Sequence, residues 1–226
     1  MPHLLNIPLE VLLQITSYLT TPEYGYLRET CKQLEALLFR AFAREFFSKR
    51  QFALMEFSIQ ALVDIAKSRF GPTLTHLIIH LEHPYAAQRR SQRPPISLHA
   101  SVHTNHTLYL EEYLNHVEFV TTGLDAEILS EAIKHLPNLE TIGMRDFRSG
   151  SRHRDNTVWN SYGCPTFVAK TGCGLELPVT GTRDRGHEYI SHVFLTILRA
   201  IGTAAHSRAP IPFCLLARSD VSVAFR

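Results

Sequence analysis

The chain lacks any apolar run of the ~18 residues needed to cross a bilayer, and its opening residues, MPHLLNIPLEV, lack the basic n-region of a secretory leader. Membrane insertion and secretion are therefore disfavoured, and a cytoplasmic or nuclear protein is expected. Cysteine is sparse. Cys31, Cys164, Cys173 and Cys214 are scattered too widely for a disulfide framework, which suits reduced thiols. Without a secretory route, the glycosylation tripeptide Asn105-His106-Thr107 carries no weight. An excess of one charge is missing too. The 23 basic and 21 acidic residues leave a formal net charge of +2, too balanced for a general nucleic-acid or membrane footprint. Any recognition has to be local.

The usual signatures of catalysis are also absent. Neither G-x-S-x-G, G-x-x-x-x-G-K nor G-x-G-x-x-G occurs, which removes the nucleophile elbow and both glycine-rich phosphate cradles. His187-Glu188-x-x-x-His192 is one residue longer than the zinc-protease motif. At about 100° per residue its imidazoles sit about 140° apart on a helix, too far round to share a metal. Cys164, Cys173, His187 and His192 lack the close pairing of a zinc knuckle. Arg145, Arg148, Arg152 and Arg154 share a segment rich in Ser and Gly and read as a solvated loop. No metal, cofactor or nucleic-acid partner is expected.

What the chain does have begins at its first helix. From Pro8 to Leu19 the apolar residues Val11, Leu12, Ile15, Tyr18 and Leu19 keep the three-and-four spacing of one helical stripe, with Pro8 in the first turn. Thr20-Thr21-Pro22-Glu23 then combines a hydroxyl cap, a proline and a carboxylate placed to close a capping box, which starts a second helix. Leu27, Cys31, Leu34, Leu37 and Leu38 continue the stripe, and Phe42, Phe46 and Phe47 extend it. Such a unit is small for an independent core, and a partner's groove would complete it. A helical hairpin burying its own stripe would show the same periodicity.

The order of these residues is more particular than amphipathicity requires. Leu5-Asn6-Ile7-Pro8-Leu9-Glu10-Val11, Ile15, Tyr18-Leu19 and then Leu27-x-x-x-Cys31-Lys32-Gln33-Leu34 resemble the F-box, with Ile7 where leucine usually precedes the proline and Thr30 where an aliphatic residue is commoner. The resemblance implies that Ile7, Pro8, Glu10, Val11, Leu12, Ile15, Leu19, Leu27 and Cys31 lie on or just under a surface that meets the Skp-type adaptor of a cullin-RING (SCF) ubiquitin ligase.

Beyond the F-box, residues 1–48, an amphipathic helix is expected from Phe52 to Ala66, ended by Gly71-Pro72. Leu74 to Ile79 reads as a buried strand, Ala86 to Pro95 as a loop, Leu114 to Phe119 as a second strand, Asp125 to Leu136 as a helix and Leu136 to Met144 as a third strand. The L-x-x-L-x-L frames resemble divergent leucine-rich repeats, with Val117 and Ile142 separated by 25 positions. An unrelated α/β domain with buried strands fits the same pattern. An irregular loop is expected over 145–186, a helix from Tyr189 to Ala205 and a last strand over Phe213 to Ala217. An F-box followed by LPNLETIGMRDF is similar to the F-box proteins abundant in filamentous fungi.

The expected fold is therefore α+β: an F-box helical bundle, then a short, irregular leucine-rich-repeat-like α/β solenoid over 49–226. With no capping unit visible at its end, the chain reads as a shortened member of its family. The implied function is a non-enzymatic substrate receptor that joins the Skp-type adaptor and cullin ligase to an unknown protein substrate. The alternatives are an interaction scaffold outside a ligase, a truncated F-box protein, and an enzyme in the Arg145–His192 region.

Overall fold

A computed structural model describes residues 4–84, 106–146, 154, 160–175, 183–205, 213–216 and 223–225. The chain divides into two compact units, one of residues 1–48 with 148–159 and one of residues 49–147 with 160–226.

The first unit is helical. α1 (Leu9–Thr16), α2 (Thr21–Glu29) and α3 (Lys32–Phe47) enclose a small core of Leu12, Tyr24, Leu34 and Leu38. The capping box is present at α2: the Thr20 side chain accepts from the Glu23 N–H at 3.5 Å, and Glu23 Oε2 accepts from the Thr20 N–H at 2.8 Å. Pro8 stands one residue outside α1, as its N-cap, and not in the first turn. The helix also stops at Thr16, short of Leu19. There the Thr16 and Ser17 hydroxyls turn back onto the carbonyls of Leu13 and Gln14 at 2.8 and 2.7 Å, a bonding that competes with helix propagation.

Aromatic rings thicken this small core. Tyr24 meets Phe42 edge to face at 5.3 Å between centroids, and the Arg28 guanidinium lies 4.4 Å over the Phe42 ring.

The second unit is built on one five-stranded sheet. β1 (Lys49–Ala53), β2 (His76–His80), β3 (Thr141–Arg145) and β4 (Phe213–Leu216) run parallel in chain order, and β5 (Val223–Phe225) closes the far edge antiparallel to β4. α4 (Glu56–Lys67) links β1 to β2. α5 (His106–Thr121) and α6 (Leu124–Lys134) lie between β2 and β3, and α7 (Cys164–Thr171) and α8 (Arg183–Ala205) lie between β3 and β4. Alternate strand residues Phe52, Leu77, Ile79, Ile142 and Met144 bury one sheet face against Ile59 and Leu62 of α4, Leu129 and Ile133 of α6, and Val193 and Ile197 of α8.

Several expectations are corrected here. Leu114 to Phe119 belongs to α5, not to a strand, so the spacing from Val117 to Ile142 is not a strand-to-strand repeat. Its apolar residues support either period, and the 16-residue helix around them wins. Phe52 lies in β1, ahead of the helix expected to begin there, because Phe52 and Leu54 alternate with Gln51 and Ala53 at the period of a strand. Within the segment expected to be an irregular loop, residues 164–171 form α7, started by Pro165 and closed by left-handed Gly172 (φ 71°). The remaining frames, Leu77/Ile79 and Ile142/Met144, fall in register on the adjacent strands β2 and β3. The expected loop over 86–95 lies outside the described residues.

Gly71 marks where the chain turns from α4 toward β2. A Cβ at this position would stand 2.1 Å from the Ala66 carbonyl oxygen, a backbone atom that cannot swing aside. Gly71→Ala is therefore expected to destabilise the second unit by about 1–3 kcal/mol, read as a lower urea midpoint with an unchanged slope. A midpoint within error of the parent would show that this close approach is relaxed at no cost.

Candidate functional site

The F-box-like residues separate into two sets once folded. Pro8, Glu10, Val11 and Ile15 are exposed. Val11 and Ile15, at 44% and 38% exposure, are one turn apart on α1 and form an apolar ridge open to solvent. Leu12 is 1% exposed and is core. Leu19, Leu27 and Cys31 pack half-buried against that core, and Ile7 is half-buried where the chain enters α1. The buried set thus fixes the helices that display the exposed set.

Among the described residues five more large apolar side chains are open on this unit: Leu4 at 38%, Leu9 at 39%, Leu37 at 41%, Tyr18 at 82% and Tyr26 at 70% exposure. Tyr18 and Leu37 lie on the apolar stripe and Tyr26 lies off it, and helical periodicity alone does not separate the exposed residues from the buried ones. Several exposed large apolar side chains on so small a unit mark a protein-binding role better than a catalytic one.

Arg154 was grouped with a solvated cluster and proves instead to be part of this unit. Its guanidinium donates to the carbonyls of Thr16 and Leu19, the latter at 2.7 Å, and engages both Glu45 carboxylate oxygens at 2.8 and 2.9 Å. It also lies 5.1 Å over the Tyr24 ring. The Thr16 carbonyl thus gains a second donor beside the Leu19 N–H, and the Leu19 carbonyl, just past the end of α1, is satisfied by this side chain. Nothing in the local sequence around Arg154 could have shown a partner 138 positions away.

The second unit holds the polar groups in which chemistry was sought. Cys164 is buried, its thiol pushed up to about 12 by burial first and then by the Glu82 carboxylate 3.6 Å away. Such a thiol is not a nucleophile near neutral pH. His192 stands 2.6 Å from Asp125 Oδ2, which also accepts from Thr196 Oγ1 at 2.8 Å, tying the first turn of α6 to α8. His187 is exposed on α8, apart from this knot. Among the described residues no group of three or more His, Cys, Asp and Glu side chains could hold a metal, and no helix is long and apolar enough to cross a membrane.

His83 and His116 are buried beside Tyr189, with the His83 and Tyr189 rings stacked at 4.0 Å. Burial lowers both imidazoles, His116 to about 4 with help from His83 and His192. For His116 the unfolded chain takes up its proton near 6.5 and the folded chain only near 4, and the His83 shift acts in the same direction. Between those values the unfolded state binds more protons, so stability falls as pH drops from about 6.5 toward 4 and is unaffected by these groups above that window. The expected slope is about 1.4 kcal/mol per pH unit for His116 within that window. Urea midpoints at pH 7 and pH 4.5 should show this loss, and His116→Gln should reduce it. An equal loss in the variant would place the acid sensitivity elsewhere.

A family model for the F-box domain matches residues 4–39, which cover α1, α2 and the first half of α3. No curated protein and no solved structure matches the chain. The matched segment contains the exposed ridge of Val11 and Ile15 and the core beneath it.

Proposed function

We propose that the F-box at residues 4–39 docks this chain onto a Skp-type adaptor, and that the second unit presents a protein substrate to the assembled cullin ligase. F-box domains are in general the Skp-binding parts of SCF adaptors, and proteins that carry them are typically non-catalytic. The observation that carries the reading is the exposed apolar ridge of α1, displayed by a capped helical unit whose core residues Leu12, Tyr24, Leu34 and Leu38 all lie within the matched segment.

In this reading residues 1–48 are the adaptor-binding domain. Ile7, Leu12, Leu19, Leu27 and Cys31 shape the docking surface from beneath, while Pro8, Glu10, Val11 and Ile15 touch the adaptor. Residues 49–226 are a short, irregular leucine-rich-repeat-like region that binds substrate. Support for the repeat is the in-register stacking of Leu77 on Ile142 and Ile79 on Met144, on parallel strands in chain order. The chain has no catalytic residue of its own, and ubiquitin transfer belongs to the other subunits.

The test is capture of a purified Skp-type adaptor by the full chain, followed by addition of the cullin. A ternary complex is the expected result. A folded chain that captures no adaptor overturns the proposal, and one that captures adaptor but excludes cullin replaces it with a scaffold outside the ligase.

A further inference from the structure

A cleft of about 470 Å³ opens in the second unit between the first turn of α4, one side of α5, and α7. Met55, Phe57 and Phe167 supply apolar walls. Around them stand Glu56, Glu112 and a single lysine, Lys170, whose ammonium is already held by the Glu112 carboxylate. A second hollow of about 440 Å³ shares Glu56 and Asn115 with the first and continues it toward the turn between α5 and α6, adding Glu118 and Glu127. Sharing these residues, the two read as one groove that has four carboxylates and one cation along it among the described residues. This acidity is local, because the whole chain has a formal net charge of +2.

Acidic side chains alone would mark only a solvated face. His116 adds an independent observation. It lines the cleft, is 7% exposed, and its Nδ1 is buried with no hydrogen-bond partner among the described residues. Buried ring nitrogens are normally paired, and this one, closed off beside the cleft in the free chain, gains a partner from the cleft when the ring turns toward a bound group. The pairing of Lys170 with Glu112 shows which kind of group these carboxylates accept: an ammonium at the end of an apolar stem.

We propose that this groove receives a basic, amphipathic segment of a partner protein. An apolar side chain enters between Met55, Phe57 and Phe167, and neighbouring Lys or Arg side chains meet Glu56 and Glu118. A backbone or side-chain polar group of the segment pairs with His116. This deepens the reading above by naming the chemistry of the substrate segment, and it rests on that reading only in taking the partner to be a substrate. Charge complementarity favours such a segment over an acidic or phosphorylated one, which four carboxylates would repel.

The probe is a random dodecapeptide library displayed on phage and selected on the full chain, with the double variant Glu56→Lys, Glu118→Lys as the comparison. Both positions are exposed, so the variant should keep the parent fold and its adaptor capture. Selected sequences are expected to carry Lys or Arg beside an apolar residue. The best synthetic peptide should bind the variant about tenfold more weakly or worse, and it should shift the His116 ring resonances of the parent.

Enrichment of acidic or neutral sequences, no enrichment, equal affinity for parent and variant, or unmoved His116 resonances would each overturn the proposal. Peptide selection that fails while adaptor capture persists removes the groove alone. Adaptor capture that fails while peptide binding persists removes the ligase reading and leaves the groove as a binding site.

Discussion

Val11→Asp with Ile15→Asp should abolish capture of the Skp-type adaptor while leaving the helical unit folded. Both side chains are more than a third exposed, so a carboxylate at either position remains in water in the free chain and costs little. In the complex the same carboxylates would be buried against an apolar surface without a partner. Each is expected to cost about 2 kcal/mol or more in binding, roughly thirtyfold in Kd.

Leu12→Ala serves as the contrast. Leu12 is 1% exposed, so its truncation should unfold the unit by about 2–5 kcal/mol and weaken capture only through loss of structure. Titration calorimetry against the purified adaptor, with far-UV dichroism on each variant, separates the two outcomes. Undiminished binding by the folded double-aspartate variant would move the docking face away from α1, and Tyr18→Ser with Tyr26→Ser would then be the next surface to test.

The first unit was legible because its signals are local. A capping box needs only Thr20 and Glu23, three positions apart, and the buried stripe needs only helical periodicity. Periodicity nevertheless places Leu12 and Val11 in one set, and only the fold shows that one is core and the other is open to solvent. The helix end was misjudged for a related reason. Thr16 and Ser17 terminate α1 through side-chain bonds to their own backbone, and the apolar Tyr18-Leu19 pair beyond them hides that stop.

In the second unit the strands flanked by turn signals were found. Leu77 to Ile79 follows Gly71-Pro72, and Ile142 to Met144 follows Pro137-Asn138. β1 was missed because five residues with Lys49 and Arg50 at the outset carry too little apolar pattern to compete with the helix that follows. Leu114 to Phe119 was misread because a six-residue apolar frame fits either period, and only the length of the surrounding segment decides between them. The groove beside α4 was illegible for another reason. Its residues come from three helices whose meeting is a tertiary fact, and each alone reads as an ordinary surface charge or core ring.

Arg154→Ala is expected to destabilise the helical unit by about 2–4 kcal/mol, a large effect for a residue that sequence alone assigns to a solvated loop. Its side chain is 11% exposed and meets needs that no other described side chain meets in its place. The Leu19 carbonyl lies just past the end of α1, and removal of the guanidinium takes away its donor in a partly buried setting, while the Thr16 carbonyl keeps the Leu19 N–H at 3.2 Å. The pairing with Glu45 adds little by itself because that carboxylate is 41% exposed and screened by water.

Stacking over Tyr24 and Phe46, with the guanidinium 5.1 and 5.9 Å from the ring centroids, adds a smaller share that a flat cation supplies and an ammonium does not. Arg154→Lys should therefore recover only part of the lost stability. The loss should appear in urea melts as an earlier helical transition and should carry through to adaptor capture, since the Val11–Ile15 ridge stands on the helix whose end Arg154 closes. A midpoint unchanged in Arg154→Ala would mean that water satisfies the Leu19 carbonyl equally well. A shortened chain ending at Ser48 could then be expected to hold its fold. With the expected loss, that shortened chain should melt at lower urea than the same helices within the full chain, because it has the helices but not the arginine that finishes the first of them.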